Sequence, residues 1–403
     1  MASKSETPEQ QEFREHCAAW LKENRPTRLP ETPLPQAAYE VTLEDHRNFL
    51  VDWQARCYEA GLIATDVPKE YGGHGHNGFQ QIASTEVRKA KVPYFINWIG
   101  LGMAAPTLLI HGTEEQKTTY LPPIFSGEDI WCQGFSEPGA GSDLVSLQTS
   151  AVKDGDNWIV NGSKVWTSLG QLARFMLLLA RTDKNDKYNG ITYFISPMEH
   201  PGVTVKPIHK MTGESGFNEV FLEDVVVPDN MRIDEVGNGW KVAMSTLTSE
   251  RGAAAGVGAI ASSDSPFQAI EQLIAYAKTK KRNGRLLWDE PVYRDRLMKI
   301  YERVEASIQN GRRARIKALN GGDMRIPLQG KLTGSEIGQE LHTLALSILG
   351  MSSSLYIGDD NTVDGGKWPL GYMNTYTGTI SGGSSEIQRN ILGERVLGLP
   401  KTK

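Results

Sequence analysis

The chain has 403 residues, 39% of them hydrophobic and 23% charged, with a formal net charge of −5 at pH 7. Length and composition predict an ordinary globular protein of two or three domains with a large core. The charge argues against nucleic acid as the main partner, which needs clustered Lys and Arg, and no window approaches the roughly 20 apolar residues of a transmembrane helix.

The opening residues carry no apolar targeting core and are not Arg-rich, so neither export nor organelle import is signalled. The cysteines, Cys17, Cys57 and Cys132, form no metal or redox motif, which predicts a reducing cytoplasm. In chain order, residues 1–128 read as helical. Ser5 or Thr7 caps a helix carrying Phe13, Cys17, Trp20 and Leu21, and a second helix over Leu43–Ala60 presents Phe49, Leu50, Trp53 and Cys57. Residues 129–238 turn to strand runs at Phe175–Ala180, Ile191–Ser196, Val203–Val205 and Val220–Leu222, spaced as in a sandwich or barrel. Over 239–403 the helical period returns, at Phe267–Ala277, Leu297–Val304 and Ile337–Ile348. The class is α+β.

Several segments invite chemistry. Gly73–Gly78 fits G-x-G-x-x-G, but no βαβ unit surrounds it and no acidic residue follows at the right distance, so a loop is expected. His74 and His76 have no further ligands near them, and Asp359–Gly365 lacks calcium-loop spacing; no metal site is expected. Gly134–Asp143 is the most specific stretch. Gly139, Ala140 and Gly141 let backbone amides approach a bulky ligand, and Ser136 and Ser142 add hydroxyls. Asn157–Ser168 carries a hairpin signal with Asn161-Gly162 at its turn. It delivers Trp166, Thr167 and Ser168, an aromatic beside two hydroxyls, which suits a planar cofactor with polar edges. Glu250 opens, with Arg251, an Ala/Gly-rich stretch whose small face makes a cavity plausible, so the carboxylate is a candidate base. The cations of Lys278–Arg285 read as the complement of a helix C-terminus capped by Gly284, with a pyrophosphate clamp as the alternative. Ile380–Arg389 is a Gly/Ser loop running into a helix.

Together, Val67–Gly73, Gly134–Asp143, Trp166–Ser168, Glu250-Arg251 and Glu386–Arg389 resemble the acyl-CoA dehydrogenase family along essentially the whole chain. The resemblance implies a helical N-terminal domain, a central β-barrel and a C-terminal four-helix bundle, with FAD between barrel and bundle. It also implies an acyl-CoA substrate, a tetramer of like or unlike subunits, and electron-transferring flavoprotein as acceptor. By the same likeness, Gln133, Phe135 and Ser136 lie against the flavin, Trp166 and Ser168 flank the isoalloxazine, and Ser142 sits near the CoA arm. Arg251 meets the CoA end. Lys280 to Arg282 hold the FAD pyrophosphate of a neighbouring subunit, which reverses the helix-cap reading, and Gly383, Ser384 and Glu386 lie near the adenosine.

The departures from that family pattern are as informative. The position that bears the catalytic Glu in most members is Gly382, and a glycine removes no proton. A minority of members place the base just before the conserved Arg, which is Glu250 here. Ser347 stands for a usual Gln, Gly350-Met351 for a Gly-Gly pair, Asn283 for a Phe, and Phe135 for a smaller aliphatic. Such changes resemble sterol-degrading dehydrogenases built from two unlike subunits. The expectation is α,β-desaturation of a branched, alicyclic or steroid-like acyl-CoA with Glu250 as base. The alternatives are a non-catalytic FAD-binding subunit of a mixed tetramer and a flavin oxidase.

Overall fold

The computed structural model describes residues 6–250, 266–313 and 325–401. It forms two compact units, Met1–Ser263 and Asp264–Lys403.

The first unit begins with helices α1 (Pro8–Asn24), α2 (Glu44–Glu59), α3 (Gln80–Ala90), α4 (Ala105–His111) and α5 (Glu114–Ser126). Thr7 caps α1 through a reciprocal box with Gln10, and Thr113 caps α5 the same way with Gln116. Cys17 and Leu21 of α1, and Leu50, Trp53 and Cys57 of α2, are buried at the spacing that predicted these helices. The segment between α3 and α4 is joined to the following sheet by one amide. Asn97 is fully buried, and its Nδ2 donates to the carbonyls of Ile124 (3.1 Å) and Asp129 (2.7 Å). Its Oδ1 accepts the Trp131 N–H at 3.0 Å.

That last bond fixes the start of β1 (Trp131–Gly134). The sheet continues with β2 (Ser150–Asp154), β3 (Asn157–Ser168), β4 (Phe175–Arg181), β5 (Ile191–Pro197), β6 (Val203–Ile208), β7 (Phe217–Pro228) and β8 (Arg232–Ile233). The spatial order is β6-β7-β3-β2-β4-β5-β8, with β1 parallel to β4. β4 reads as an unbroken apolar run because both its faces are covered. Met176, Leu178 and Ala180 join Trp158, Val160 and Val220 in one core, whereas Leu177 and Leu179 join the core shared with the helices. No pairing joins β6 to β8 among the described residues, so the closed barrel that the resemblance implies is not found. Closure depends on register between the first and last strands, which no local pattern encodes. Helix α6 (Gly239–Glu250) packs against β5.

Asn161-Gly162 is not a turn. β3 runs straight through it, and the β2–β3 hairpin turns at Gly155 (φ 55°). Gly162 instead marks a register shift against β7, where a Cβ would come within 2.5 Å of Thr149 Oγ1.

The second unit holds α7 (Pro266–Thr279), the short strands β9 (Lys281–Arg282) and β10 (Arg285–Leu286), α8 (Pro291–Arg313), α9 (Arg325–Leu349), α10 (Lys367–Ile380) and α11 (Ser385–Ile391). Ile270, Leu273, Leu297, Ile300, Val304, Leu341, Leu344 and Trp368 form its core. Gly284 does not cap α7. Asn283 (φ 52°) and Gly284 (φ 82°) are the left-handed pair of a two-residue turn joining β9 to β10.

Replacing Asn97 with Ala leaves the Asp129 carbonyl and the Trp131 amide without this partner, and the Ile124 carbonyl with Gln54 Nε2 and the Gly127 N–H alone. Urea titration should show a loss of about 3 kcal/mol, and a loss under about 1 kcal/mol would refute this account of the joint.

Candidate active site

The stretch after β1 is built around a buried charge pair. Lys164 of β3 is fully buried, and its Nζ lies 2.8 Å from Glu137 Oε1 and 3.3 Å from the Phe135 carbonyl. The Glu137 carboxylate also accepts the backbone N–H groups of Gln148 (2.6 Å) and Thr149 (2.9 Å). Burial alone would raise this carboxyl, but the ammonium and the amides outweigh it and hold it below the usual carboxylate range. Burial also draws Lys164 down to about 8 against the pull of Glu137, which leaves the ammonium charged at neutral pH. The Ser136 carbonyl accepts the Val165 N–H at 2.9 Å, so the strand end and β3 run side by side. Gly134 is required here because a Cβ would collide with Met176 Sδ.

One residue further along β3 the backbone changes. The pairing steps from Lys164↔Val220 to Thr167↔Asn218, which inserts one extra residue on β3. In this bulge Trp166 takes φ 61° and turns its ring outward, 59% exposed. A left-handed φ is a strain for a bulky residue. Phe217 holds the indole edge-on at 6.1 Å and itself stacks on Tyr39 at 5.2 Å. Thr167 is fully buried, and its Oγ1 has no hydrogen-bond partner among the described residues. Gln133, Ser136 and Ser168 are half-buried, Phe135 is buried, and Ser142 is exposed, while added Cβ atoms at Gly139 and Gly141 would meet nothing within 4 Å. Glu250 is half-buried in the last described turn of α6, and Arg251 lies outside the described residues.

The second unit gathers two further groups. Arg282 Nη2 donates to the Ile348 carbonyl at 2.7 Å and its Nη1 lies 3.0 Å from Tyr293 Oη, which donates to the Ser347 carbonyl at 3.2 Å. Gly350 (φ 61°) completes this cluster, since a Cβ there would stand 2.7 Å from Arg282 Nη2. Arg282, Ser347 and Gly350 therefore meet, as a cation over the carbonyl end of α9; Lys280 is exposed beside Tyr276. The other group is the loop before α11. Gly382 (φ 62°) and Gly383 (φ 89°) are both left-handed. The carbonyl of Gly382 accepts Gln388 Nε2 at 2.9 Å, and that of Gly383 accepts Lys331 Nζ at 2.5 Å. Ser384 caps α11 by accepting the Ile387 N–H at 3.3 Å, and Glu386 sits in the first turn.

Sequence models of the acyl-CoA dehydrogenase N-terminal, middle and C-terminal domains match residues 7–128, 132–225 and 237–397. The chain belongs to the acyl-CoA dehydrogenase family. Members are oxidoreductases acting on CH–CH bonds. The acyl-CoA dehydrogenase IpdE1 of Mycobacterium tuberculosis is 35% identical over 404 residues, covering 97% of this chain and 98% of its own. Among solved structures, the ChsE4–ChsE5 complex from Mycobacterium tuberculosis matches with TM-score 0.78 at 29% identity, and the Tcur3481–Tcur3483 steroid ACAD with TM-score 0.80 at 28%, each over 100% of both chains. No helix among the described residues is long and apolar enough to cross a membrane, and none of their His, Cys, Asp and Glu side chains group as a metal site.

Within this acyl-CoA dehydrogenase, sequence reasoning passed over Glu137 and Lys164, although both lie in the segments it singled out. The signal was present, because Lys164 has the inward parity of Trp158 and Val160. A lysine at such a position calls for a buried partner.

Lys164→Met leaves the Glu137 carboxylate buried without its cation and should cost about 3–5 kcal/mol. The double variant with Glu137→Gln should recover a large part of that loss in denaturant titration. Additive losses would show that the two groups act independently.

Proposed function

We propose that the protein desaturates an acyl-CoA thioester between Cα and Cβ, with FAD as cofactor and Glu250 as general base. The observation that carries this reading is the exchange of carboxylates. Gly382, where most members bear the base, offers only backbone, whereas Glu250 stands half-buried at the alternative position.

The residues present fit a flavin. An outward-turned Trp166 in a strained bulge and the half-buried Ser168 give a flat apolar surface beside a hydroxyl, and the buried Thr167 hydroxyl between them in sequence has no partner among the described residues. Gln133, Phe135 and Ser136 would hold the same group from the neighbouring strand end, while Lys280 to Arg282 would serve the pyrophosphate of a neighbouring subunit's FAD. Bound FAD supplies the acceptor for the hydride that leaves Cβ. Glu250 takes the proton from Cα, an acid far too weak for a carboxylate in water. Backbone amide donors to the thioester oxygen would lower that barrier by stabilising negative charge there. Ser142 and Arg251 hold the CoA portion.

The glycine at 382 leaves volume where most members carry a side chain, which favours a branched, alicyclic or steroid-like acyl group. The match to a steroid ACAD supports that class. The ChsE4–ChsE5 match supports assembly with an unlike subunit, and the family resemblance implies electron-transferring flavoprotein as the electron acceptor. A non-catalytic subunit of such an assembly is the second reading. It is favoured by Gly382, which offers only backbone where most members bear the base.

Anaerobic bleaching of the flavin by a panel of acyl-CoAs decides between the two. Glu250→Gln should slow reduction about 100-fold or more while flavin content stays unchanged. Reduction at the parental rate would remove Glu250 from the mechanism. Within the panel a polycyclic acyl-CoA should outrun butyryl-CoA, and the opposite order would overturn the substrate reading.

A further inference from the structure

Tyr193 lies in β5, fully buried, on a sheet face otherwise made of Leu177, Leu179 and Ile195. A phenylalanine would fill the same space without importing a hydroxyl that needs a partner. The hydroxyl does find one, in α6. Tyr193 Oη is 3.0 Å from Thr246 Oγ1, and Thr107 Oγ1 of α4 is 2.8 Å from the same atom. Thr246 Oγ1 also lies 3.3 Å from the Val242 carbonyl, so it is the atom that joins the two other hydroxyls to its own helix. On its opposite side the Tyr193 ring receives Phe135, with centroids 5.7 Å apart and planes at 87°.

We propose that Tyr193 is a positioning residue, which sets the strand end at Phe135 and the Glu250 helix against each other. This rests on the reading of Glu250 as base and of Phe135 as part of the flavin cradle. Thr246 stands one helical turn before Glu250 and on the same face, so a hydroxyl tether at 246 fixes the turn from which the carboxylate projects. Ser245 is held separately by His111 Nε2 at 2.8 Å, and His111 Nδ1 lies 3.3 Å from Asp234. That second anchor ties α6 to α4 and to its own N-terminal side. Tyr193 ties it to the strand. Phe135, where the family usually has a smaller aliphatic, gives the ring of Tyr193 an aromatic edge to pack on.

The test uses the flavin-loaded protein with whatever subunit it assembles with. Tyr193→Phe removes only the hydroxyl, and Thr246→Val and Thr246→Ser separate the acceptor from the methyl group. Flavin content should stay unchanged in all three. The limiting rate of flavin reduction should fall about 10- to 100-fold in Tyr193→Phe and Thr246→Val, with half-saturating substrate concentration within about twofold and Thr246→Ser near the parental rate. Hydrogen exchange at the amides of 133–136 and 244–250 should accelerate together in Tyr193→Phe. Unchanged exchange at both segments, or a limiting rate equal to the parent, overturns the proposal, as does a Thr246→Ser as slow as Thr246→Val. Failure of the base reading shows itself elsewhere, as normal reduction by Glu250→Gln, and exchange in Tyr193→Phe still reports the tether in that case.

Discussion

The strand end that faces the candidate site depends on one buried pair, Lys164 with Glu137. An ammonium and a carboxylate removed from water lose several kcal/mol each of solvation, and only close pairing with every remaining donor and acceptor engaged makes the arrangement tolerable. Here the carboxylate takes the ammonium and two backbone amides, while the ammonium also reaches the Phe135 carbonyl. Such a pair is a poor source of net stability but a demanding constraint on geometry. Small displacements of residues 134–137 or of β3 break bonds that nothing else can replace. The glycine-rich segment that follows has open space around Gly139 and Gly141, and between them the buried Ala140 pairs back to Glu137 through two backbone bonds of 3.0 Å.

The bulge at Trp166 is the counterpart on β3. Val165 is locked to the Ser136 carbonyl and Asn218 Nδ2 donates to the Thr167 carbonyl at 3.0 Å, so the extra residue is trapped between two fixed points. The strain of a left-handed tryptophan, on the order of 1–3 kcal/mol, persists because its neighbours leave the backbone no other course. Its result is an indole displayed beside Ser168 and held edge-on by Phe217.

The helices and strands were legible because their apolar periods are local. The capping boxes at Thr7 and Thr113 follow from residue type and spacing, and the continuous run of β4 announced burial on both faces. Asn-Gly pairs were not legible. At 161–162 the pair lies inside a strand, where the glycine serves a close approach to Thr149, and at 283–284 it makes a hairpin in a region otherwise helical. The dipeptide permits left-handed φ in both places, and long-range pairing decides whether the chain turns. The open edge between β6 and β8, the bulge at Trp166 and the Tyr193–Thr246 bond likewise depend on how distant segments meet. The chemistry of Gly134–Asp143 could be read from residue types, whereas its anchorage required knowing which strand ran beside it.

The two halves of the first-unit site are secured by different chemistry, and the difference follows from what each must do. A cradle for a planar ligand needs rigidity, and a buried ion pair with directional amides supplies it. On the proposed reading of Glu250 as base, the helix that carries it needs rigidity as well. The bonds that hold α6 one turn before Glu250 are those of three neutral hydroxyls, on Thr107, Tyr193 and Thr246. The carboxylate that helps anchor this helix, Asp234, precedes its N-terminus, where a negative charge complements the helix dipole. An ion pair in place of the hydroxyls would fix the helix too, but would set a charge one turn from Glu250.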